Sequence, residues 1–193
     1  MPKRVAAVIF CLLVLALVPV LLADTLSARL RGDQIFFQAP GLNLIREPLL
    51  ARLKTGGTVA YDFHLALWTG NRDAVRRRAF ERFVVSYDLW EEKFAVTGLR
   101  QPRISVANLK SNEIGVWCLD RIGLRSPDLK PADPLWLKLE VRAVDPKRDA
   151  GLLDDPDGVN LARLVDLFSR PRESGDQRWS FESGRLRASD LRP

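Results

Sequence analysis

Three successive stretches between Gly57 and Leu99 alternate apolar and polar residues with a period of two, and this pattern restricts the fold more than any other feature of the chain. Such alternation is typical of strands with one buried face, because successive side chains point to opposite sides of a strand. The apolar positions are Val59, Tyr61, Phe63, Leu65 and Leu67, then Phe83, Val85, Tyr87 and Leu89, then Phe94 and Val96. The connections are too short for crossovers, so the stretch predicts an antiparallel meander whose aromatic residues are buried.

Further strands and a few helices are predicted on both sides of this centre. Strand-like runs occupy residues 26–31, 34–39, 102–107, 135–143 and 179–186. Short helices are predicted over residues 47–54, 111–122 and 159–168, where turn or capping residues flank helical spacing. The sequence therefore predicts a mainly β to α+β fold: antiparallel, β-sandwich-like sheets decorated with about three short helices, after an N-terminal hydrophobic segment.

The N-terminus has the composition of a membrane-targeting segment. Lys3 and Arg4 precede an uncharged apolar run that begins at Val5 and ends at Ala23. Basic residues before such a run stay on the cytoplasmic side, so the pattern predicts export of the rest of the chain. Residues 1–23 are either a signal peptide that is removed or an uncleaved anchor through the membrane, because the run approaches the roughly 20 residues that span a bilayer.

The chain after the leader has one composition and no internal repeat. The 193 residues, of which 47% are hydrophobic, can bury one sizeable core. Residues 24–193 are therefore predicted to form a single β-rich extracytoplasmic domain, located in the periplasm or cell envelope. It contains 28 of the 30 basic residues and all 24 acidic ones, and this basic excess suits anionic lipid headgroups, envelope polymers or an envelope protein as partners. The charges are mixed, so the alternative is an ordinary solvated surface without a charged partner. Nucleic acid is a poor partner for an exported chain without a nucleic-acid-binding motif.

Arg76, Arg77 and Arg78 form the most basic cluster in the sequence. Arginine pairs bidentately with phosphate and carboxylate groups, so the cluster is a candidate contact for anionic lipid or for a partner. The alternative is a solvated strand start, where charge discourages edge-to-edge aggregation.

Neither the cysteines nor the acidic run after residue 150 predicts a special site. Cys118 has only Cys11 as a possible partner, and Cys11 lies in the leader, so no internal disulfide is expected. The run of residues 154–158 resembles a calcium loop at first sight. It lacks the alternating ligands and closing glutamate, and Asp157 is well placed to cap a helix. No metal and no cofactor are predicted.

A catalytic set is hard to assemble from this sequence. The chain has one histidine, His64, and none of the common nucleophile, zinc or phosphate-binding motifs. Asp62 lies two residues from His64 and on the same strand face, and Ser86 and Asp88 occupy the next strand, where they could face this pair. This polar constellation is a weak candidate for hydrolysis. No residue is predicted to be catalytic, and nothing places Cys118 beside His64.

The segments FVVSYDL (residues 83–89), KFAV (residues 93–96) and WSFES (residues 179–183) carry a family resemblance. In these segments and in the order of its elements from Leu26 onward, the chain resembles a family of exported bacterial proteins called domain of unknown function 4390. The resemblance covers most of the chain after the leader. It implies no catalytic residue, because the family has none assigned. Members tend to lie near genes for membrane sensor kinases, which implies an accessory role in envelope sensing.

The leader, the sheet pattern and the missing catalytic motifs together predict a non-enzymatic binding or accessory module of the cell envelope. Two alternatives remain open. One is a hydrolase-type enzyme with a site around His64 and Asp62, and the other is a domain that binds anionic lipid.

Overall fold

The computed structural model describes residues 26–70, 72, 75–144 and 177–191, and in these ranges the protein is mainly antiparallel β-sheet. Two α-helices, α1 (Leu49–Lys54) and α2 (Ser111–Leu119), and a final 3₁₀ turn (Ala188–Leu191) accompany the strands. The strands are β1 (Ser27–Arg31), β2 (Gln34–Gln38), β3 (Val59–Thr69), β4 (Val75–Asp88), β5 (Lys93–Gly98), β6 (Ile104–Leu109), β7 (Gly123–Arg125), β8 (Pro134–Val144), β9 (Arg178–Glu182) and β10 (Leu186–Arg187).

The strands form two sheets. The larger has the order β10-β8-β3-β4-β5-β6, and β9 also pairs with β8, which makes seven strands. The smaller has the order β1-β2-β7. Every pair is antiparallel, and β3 to β6 follow one another as hairpins, so the predicted meander is confirmed.

The apolar face of β3 forms the centre of the core. Its five alternating apolar residues, Val59 to Leu67, are 0–1% exposed. The Phe63 ring meets the Phe83 ring edge-on at 5.4 Å, and Phe83 in turn meets Trp117 of α2 at 5.9 Å. Both sheets and both helices contribute to this one hydrophobic cluster. Full burial of a side chain such as Phe63 contributes about 2–3 kcal/mol, so the alternation largely fixes which face of each strand points inward.

The central strand is more deeply buried than the alternation predicts. Ala60, Asp62 and Ala66 lie on the opposite face of β3, yet they are only 0–3% exposed. The expectation of one buried and one solvated face is therefore wrong for β3. A strand with β4 on one side and β8 on the other is flanked by the longer side chains of both neighbours, and these side chains limit the access of water to it.

Some element boundaries differ from those expected. The helix predicted over residues 111–122 ends at Leu119, and Gly123 begins strand β7 instead of terminating the helix. A Cβ atom at residue 123 would overlap the side-chain oxygen of Gln34, so glycine permits the close pairing of β7 with β2. The strand predicted over residues 179–186 is divided into β9 and β10. Ser183, which lies between them, exchanges two hydrogen bonds with the backbone of Leu137.

Several expectations lie outside the described residues. They are the leader from Val5 to Ala23, the acidic run of residues 154–158 and the helix over residues 159–168. The described part of the chain therefore has two α-helices against the expected total of about three. Among the helices that it contains, none has the length and apolar character needed to cross a bilayer.

Candidate functional site

Asp62 lies in the middle of β3, between two arginines on the neighbouring strands. The strand register places Arg82 of β4 on one side of it and Arg142 of β8 on the other. The guanidinium of Arg82 donates to both carboxylate oxygens of Asp62, from Nε to Oδ1 and from Nη2 to Oδ2 at 2.7 Å. Asp62 is 0% exposed and Arg82 is 3% exposed. Buried charges are stable only when paired, so this bidentate contact is the expected state of the Asp62 carboxylate.

His64 lies beside a pair of charged groups, Glu140 and Lys138, on the same sheet face. Its Nδ1 lies 3.6 Å from Oε2 of Glu140, and Nζ of Lys138 lies 2.9 Å from Oε1 of the same carboxylate. The contact with His64, followed by that with Lys138, lowers the pKa of Glu140 to about 2 against the opposing effect of burial. The hydrogen bond to Glu140 also raises the pKa of Lys138. Glu140 is thus a stable anion that orients its neighbours.

Ser86 and Asp88 do not join Asp62 and His64. The register places Arg82 opposite Asp62 and Phe80 opposite His64, whereas Ser86 pairs with Ala95 of β5. Because a strand rises about 3.3 Å per residue, Ser86 lies roughly 13 Å along β4 from Arg82. The weak polar constellation is therefore divided between two places, and no hydroxyl nucleophile meets a base and its orienting group there.

Cys118 is equally far from catalytic chemistry. It lies on α2 with 0% exposure, and burial raises the pKa of its thiol well above the usual value. It belongs to the same buried hydrophobic cluster as Tyr61 of β3, whose hydroxyl donates to the Leu44 carbonyl at 2.9 Å. His64 points to the opposite face of that strand. The described residues contain no group of three or more histidine, cysteine, aspartate or glutamate side chains that could hold a metal ion.

The arginine cluster lies near the start of β4, which extends further toward the N-terminus than the pattern predicts. Arg76, Arg77 and Arg78 are exposed. Nε of Arg76 donates to Oγ1 of Thr69 at 3.0 Å, and a guanidinium nitrogen of Arg77 donates to the carbonyl of Arg76 at 2.9 Å. Alternation along the strand sends Arg77 and Arg78 to opposite faces, so the three side chains do not form one patch.

The tip of the hairpin between β4 and β5 carries the most exposed large hydrophobic side chain among the described residues. Leu89 is 58% exposed and Trp90 is 92% exposed. The alternation predicts that Leu89 continues the buried face of the second run, but β4 ends at Asp88. The carboxylate of Asp88 accepts the backbone N–H of Trp90 at 2.8 Å and that of Glu91 at 3.1 Å. These hydrogen bonds hold the turn in one shape and present the indole to solvent.

Acidic residues surround this tip. Asp88, Glu91 and Glu92 are exposed, and Glu92 adopts a left-handed backbone conformation with a φ of 51°. The sequence predicts a connection here but assigns it no role. The sequence does contain a signal that could have identified this exposed tip, namely a tryptophan in a short, otherwise polar turn. An aromatic residue in such a turn has no strand to pack on.

A second feature is a small cleft beside the middle of β4, at the connection between β5 and β6. It has a volume of about 210 Å³ and is lined in part by Glu81, Phe83, Arg100, Ile104 and Arg121. Burial raises the pKa of Glu81, although the Arg100 backbone N–H donates to its Oε1 at 3.2 Å. The cleft is lined by a carboxyl group and two guanidinium groups. The buried Cys118 thiol lies near enough to interact with Glu81 and Arg121 but is not part of the lining, and burial raises its pKa.

Comparisons of the chain with models of protein families, with curated proteins and with solved structures find no match. A function must therefore be inferred from the described residues themselves. They define a mainly antiparallel β protein with an ion-paired polar centre and an exposed aromatic tip.

Proposed function

We propose that the chain is an exported, non-enzymatic module of the cell envelope that binds a partner protein through the β4–β5 hairpin tip. The observation that carries this proposal is the 92% exposure of Trp90 on a turn held by Asp88. Docking an exposed indole into an apolar pocket is favourable, because it removes a large apolar surface from water. Tryptophan is also enriched among the residues that dominate binding energy at interfaces.

The rigidity of the turn favours binding further. Asp88 fixes the backbone of Trp90 and Glu91 through two hydrogen bonds, so little conformational entropy is lost when the tip docks. Leu89, which is also exposed, extends the apolar contact.

The charges around the tip indicate the chemistry of the partner. Asp88, Glu91 and Glu92 would approach any surface that receives Trp90. An anionic membrane would repel these carboxylates, whereas a protein pocket with a basic rim would attract them. The divided arginine cluster at residues 76–78 gives less support to the alternative of anionic-lipid binding.

The hydrolase alternative receives little support from the polar centre. The Asp62 carboxylate is occupied by Arg82, and Ser86 lies elsewhere on β4. His64 lies beside the Glu140 carboxylate, which Lys138 also contacts. Such an arrangement favours structural ion pairing over proton transfer to a substrate.

Export and envelope location rest on the leader from Val5 to Ala23. The family resemblance adds an accessory role near a membrane sensor as the proposed context. A sandwich-like arrangement of the two sheets is part of the same proposal, supported by the single hydrophobic cluster to which both contribute. A module of this kind would act by binding a partner rather than by catalysing a reaction.

Site-specific photo-crosslinking in cells that express the chain tests the tip. A photoreactive amino acid replaces Leu89, and in a matched control it replaces Val116, which has the same 58% exposure on α2. We expect one discrete protein adduct from position 89 that is absent from position 116. Adding Trp90→Ala to the position-89 variant should reduce the adduct at least about tenfold. An adduct that persists unchanged without the indole would overturn the proposal.

A reporter fusion tests export separately. The full chain is fused at its C-terminus to an enzyme that is active only outside the cytoplasm. We expect activity from this fusion and its loss in a variant with Leu13→Arg and Leu15→Arg, because two charges prevent insertion of the apolar run. An inactive wild-type fusion that is present in normal amount would show that the chain is not exported.

A further inference from the structure

Strand β6 forms one edge of the seven-stranded sheet in the described part of the chain. It lies at the end of the strand order and pairs only with β5 among the described strands. Its sequence, ISVANL, contains no charged residue and no proline. Ser105 and Ala107 are exposed and Val106 is partly exposed. An edge of this kind offers a row of backbone donors and acceptors to another strand.

The opposite edge of the same sheet is protected in the ways that proteins normally use. It is shared by β9 and by β10, which has two residues. Charged residues occupy both strands, namely Arg178 and Glu182 in β9 and Arg187 in β10. Short strands and charges at an edge prevent pairing with foreign strands. Between Arg103 and Lys110 β6 has no charged residue, so among the described strands it is the edge that charge protects less against pairing with a further strand.

The apolar side chains of β6 are incompletely covered. Ile104 and Val106 pair with Gly98 and Val96 of β5 and so share the face that carries the core. Ile104 is 38% exposed, and Val106 and Leu109 are partly buried. A further strand beside β6 would cover this row with side chains of its own.

The charges at the two ends of β6 determine which strand fits. Arg103 precedes the strand and Lys110 follows it, and both are exposed. In an antiparallel pair of two copies, Arg103 of one chain would lie near Lys110 of the other. In a parallel pair, Arg103 of one chain would lie beside Arg103 of the other, and Lys110 beside Lys110. Both arrangements oppose like charges and are disfavoured, so a second copy of β6 is a poor occupant.

We propose that β6 binds an extended segment of a partner protein as an eighth strand. The segment has about seven residues, mostly β-branched, with an acidic residue at each end to pair with Arg103 and Lys110. Asn108, which has a φ of 64°, marks an irregularity between β5 and β6, so the regular pairing edge is centred on Ile104 to Val106. This interaction is independent of the hairpin tip and does not require export.

Synthetic peptides test the backbone part of the proposal on the full chain in mild detergent. The probe is a capped, fluorescent heptapeptide with glutamate at both ends and alternating valine and threonine between them, and its binding is followed by fluorescence anisotropy. Two further peptides carry N-methyl groups on one or the other set of alternate residues. Only one set of alternate backbone N–H groups faces β6 in a strand pair. The peptide methylated on that set should bind at least about tenfold more weakly than the unmethylated peptide, and the other should bind about as well as it.

Charge reversal tests the specificity. In the Arg103→Glu, Lys110→Glu variant, a lysine-flanked peptide should bind better than the glutamate-flanked one, which reverses the preference of the wild-type protein. Thermal unfolding of this variant checks that it is folded, since both substituted residues are exposed. Trp90→Ala should leave peptide binding unchanged, which separates this site from the tip. Failure of the glutamate-flanked peptide to bind, equal effects of the two N-methylated peptides, or an unaltered charge preference in the folded variant would each overturn the proposal.

Discussion

Arg82 of β4 holds the Asp62 carboxylate of β3 through two hydrogen bonds at the centre of the larger sheet, where both residues are buried. This pair specifies the register of the two longest hairpin strands. A slip of one residue would place Asp62 opposite Glu81 or Phe83 and would turn the apolar face outward. The polar centre is therefore a structural element of the sheet.

Asp62→Asn should destabilise the protein strongly. The substitution keeps the shape of the side chain but removes the negative charge that the buried Arg82 guanidinium contacts through two hydrogen bonds, and breaking a buried pair in this way costs about 3–5 kcal/mol. Urea unfolding measures the change in the free energy of unfolding. Glu182→Gln is the matched control, because Glu182 is 52% exposed and lies 3.6 Å from Lys138, and it should cost less than about 0.5 kcal/mol. Equal costs for the two substitutions would contradict the structural role of Asp62.

Stability should depend on the ionisation of Glu140 in acid. Its pKa is lowered to about 2 in the folded protein, so it contributes stability that is present above the ordinary pKa of a glutamate and is lost as the pH falls through about 2. The difference in free energy of unfolding between wild type and Glu140→Gln should therefore shrink between pH 6 and pH 2. We expect about 1 kcal/mol of this difference to depend on pH, because the pair is partly solvated. A difference that is constant over this range would show that His64 and Lys138 do not stabilise the anion.

Removing the Asp88 carboxylate should loosen the hairpin tip. Asp88→Ala deletes the acceptor of two backbone N–H groups and should cost about 1 kcal/mol of stability. Asp88→Asn retains an oxygen acceptor and should cost less than half as much. Hydrogen exchange at Trp90 and Glu91 gives the local readout: it should accelerate in the alanine variant and change little in the asparagine variant. Unchanged exchange in both would mean that the carboxylate does not hold the turn.

Cys118 should resist thiol reagents in the folded protein. It is fully buried and burial raises its pKa, so the reactive thiolate is scarce and inaccessible. In a Cys11→Ser background, labelling by a disulfide reagent at pH 8 should be at least about a hundredfold slower in buffer than in urea. Rapid labelling under native conditions would place the thiol at the surface.

The alternation of apolar residues is sufficient to predict the larger part of the fold. Period-two burial fixes the inward face of a strand, so the expected core positions of Phe63, Phe83 and Val96 are confirmed. The same pattern does not predict β7. That strand has three residues, and its Gly123 reads as a helix stop until the contact with Gln34 is seen. Long-range pairing of this kind leaves no local signal.

The candidate site is predictable only in part, for a related reason. The face shared by Asp62 and His64 follows from strand geometry, but their neighbours depend on a register that only tertiary pairing decides. The register brings Arg82 to Asp62 and leaves Ser86 elsewhere. The exposure of Trp90 depends on where β4 ends, and a single sequence locates element ends poorly.

The affinity of the crosslinked partner for three purified proteins tests the central claim most directly. Wild type, Trp90→Ala and His64→Ala are compared by titration with the partner identified from the position-89 adduct. If binding resides at the tip, Trp90→Ala should raise Kd at least about thirtyfold, while His64→Ala leaves it within about twofold. A large loss of affinity with His64→Ala, together with unchanged binding by Trp90→Ala, would contradict the account.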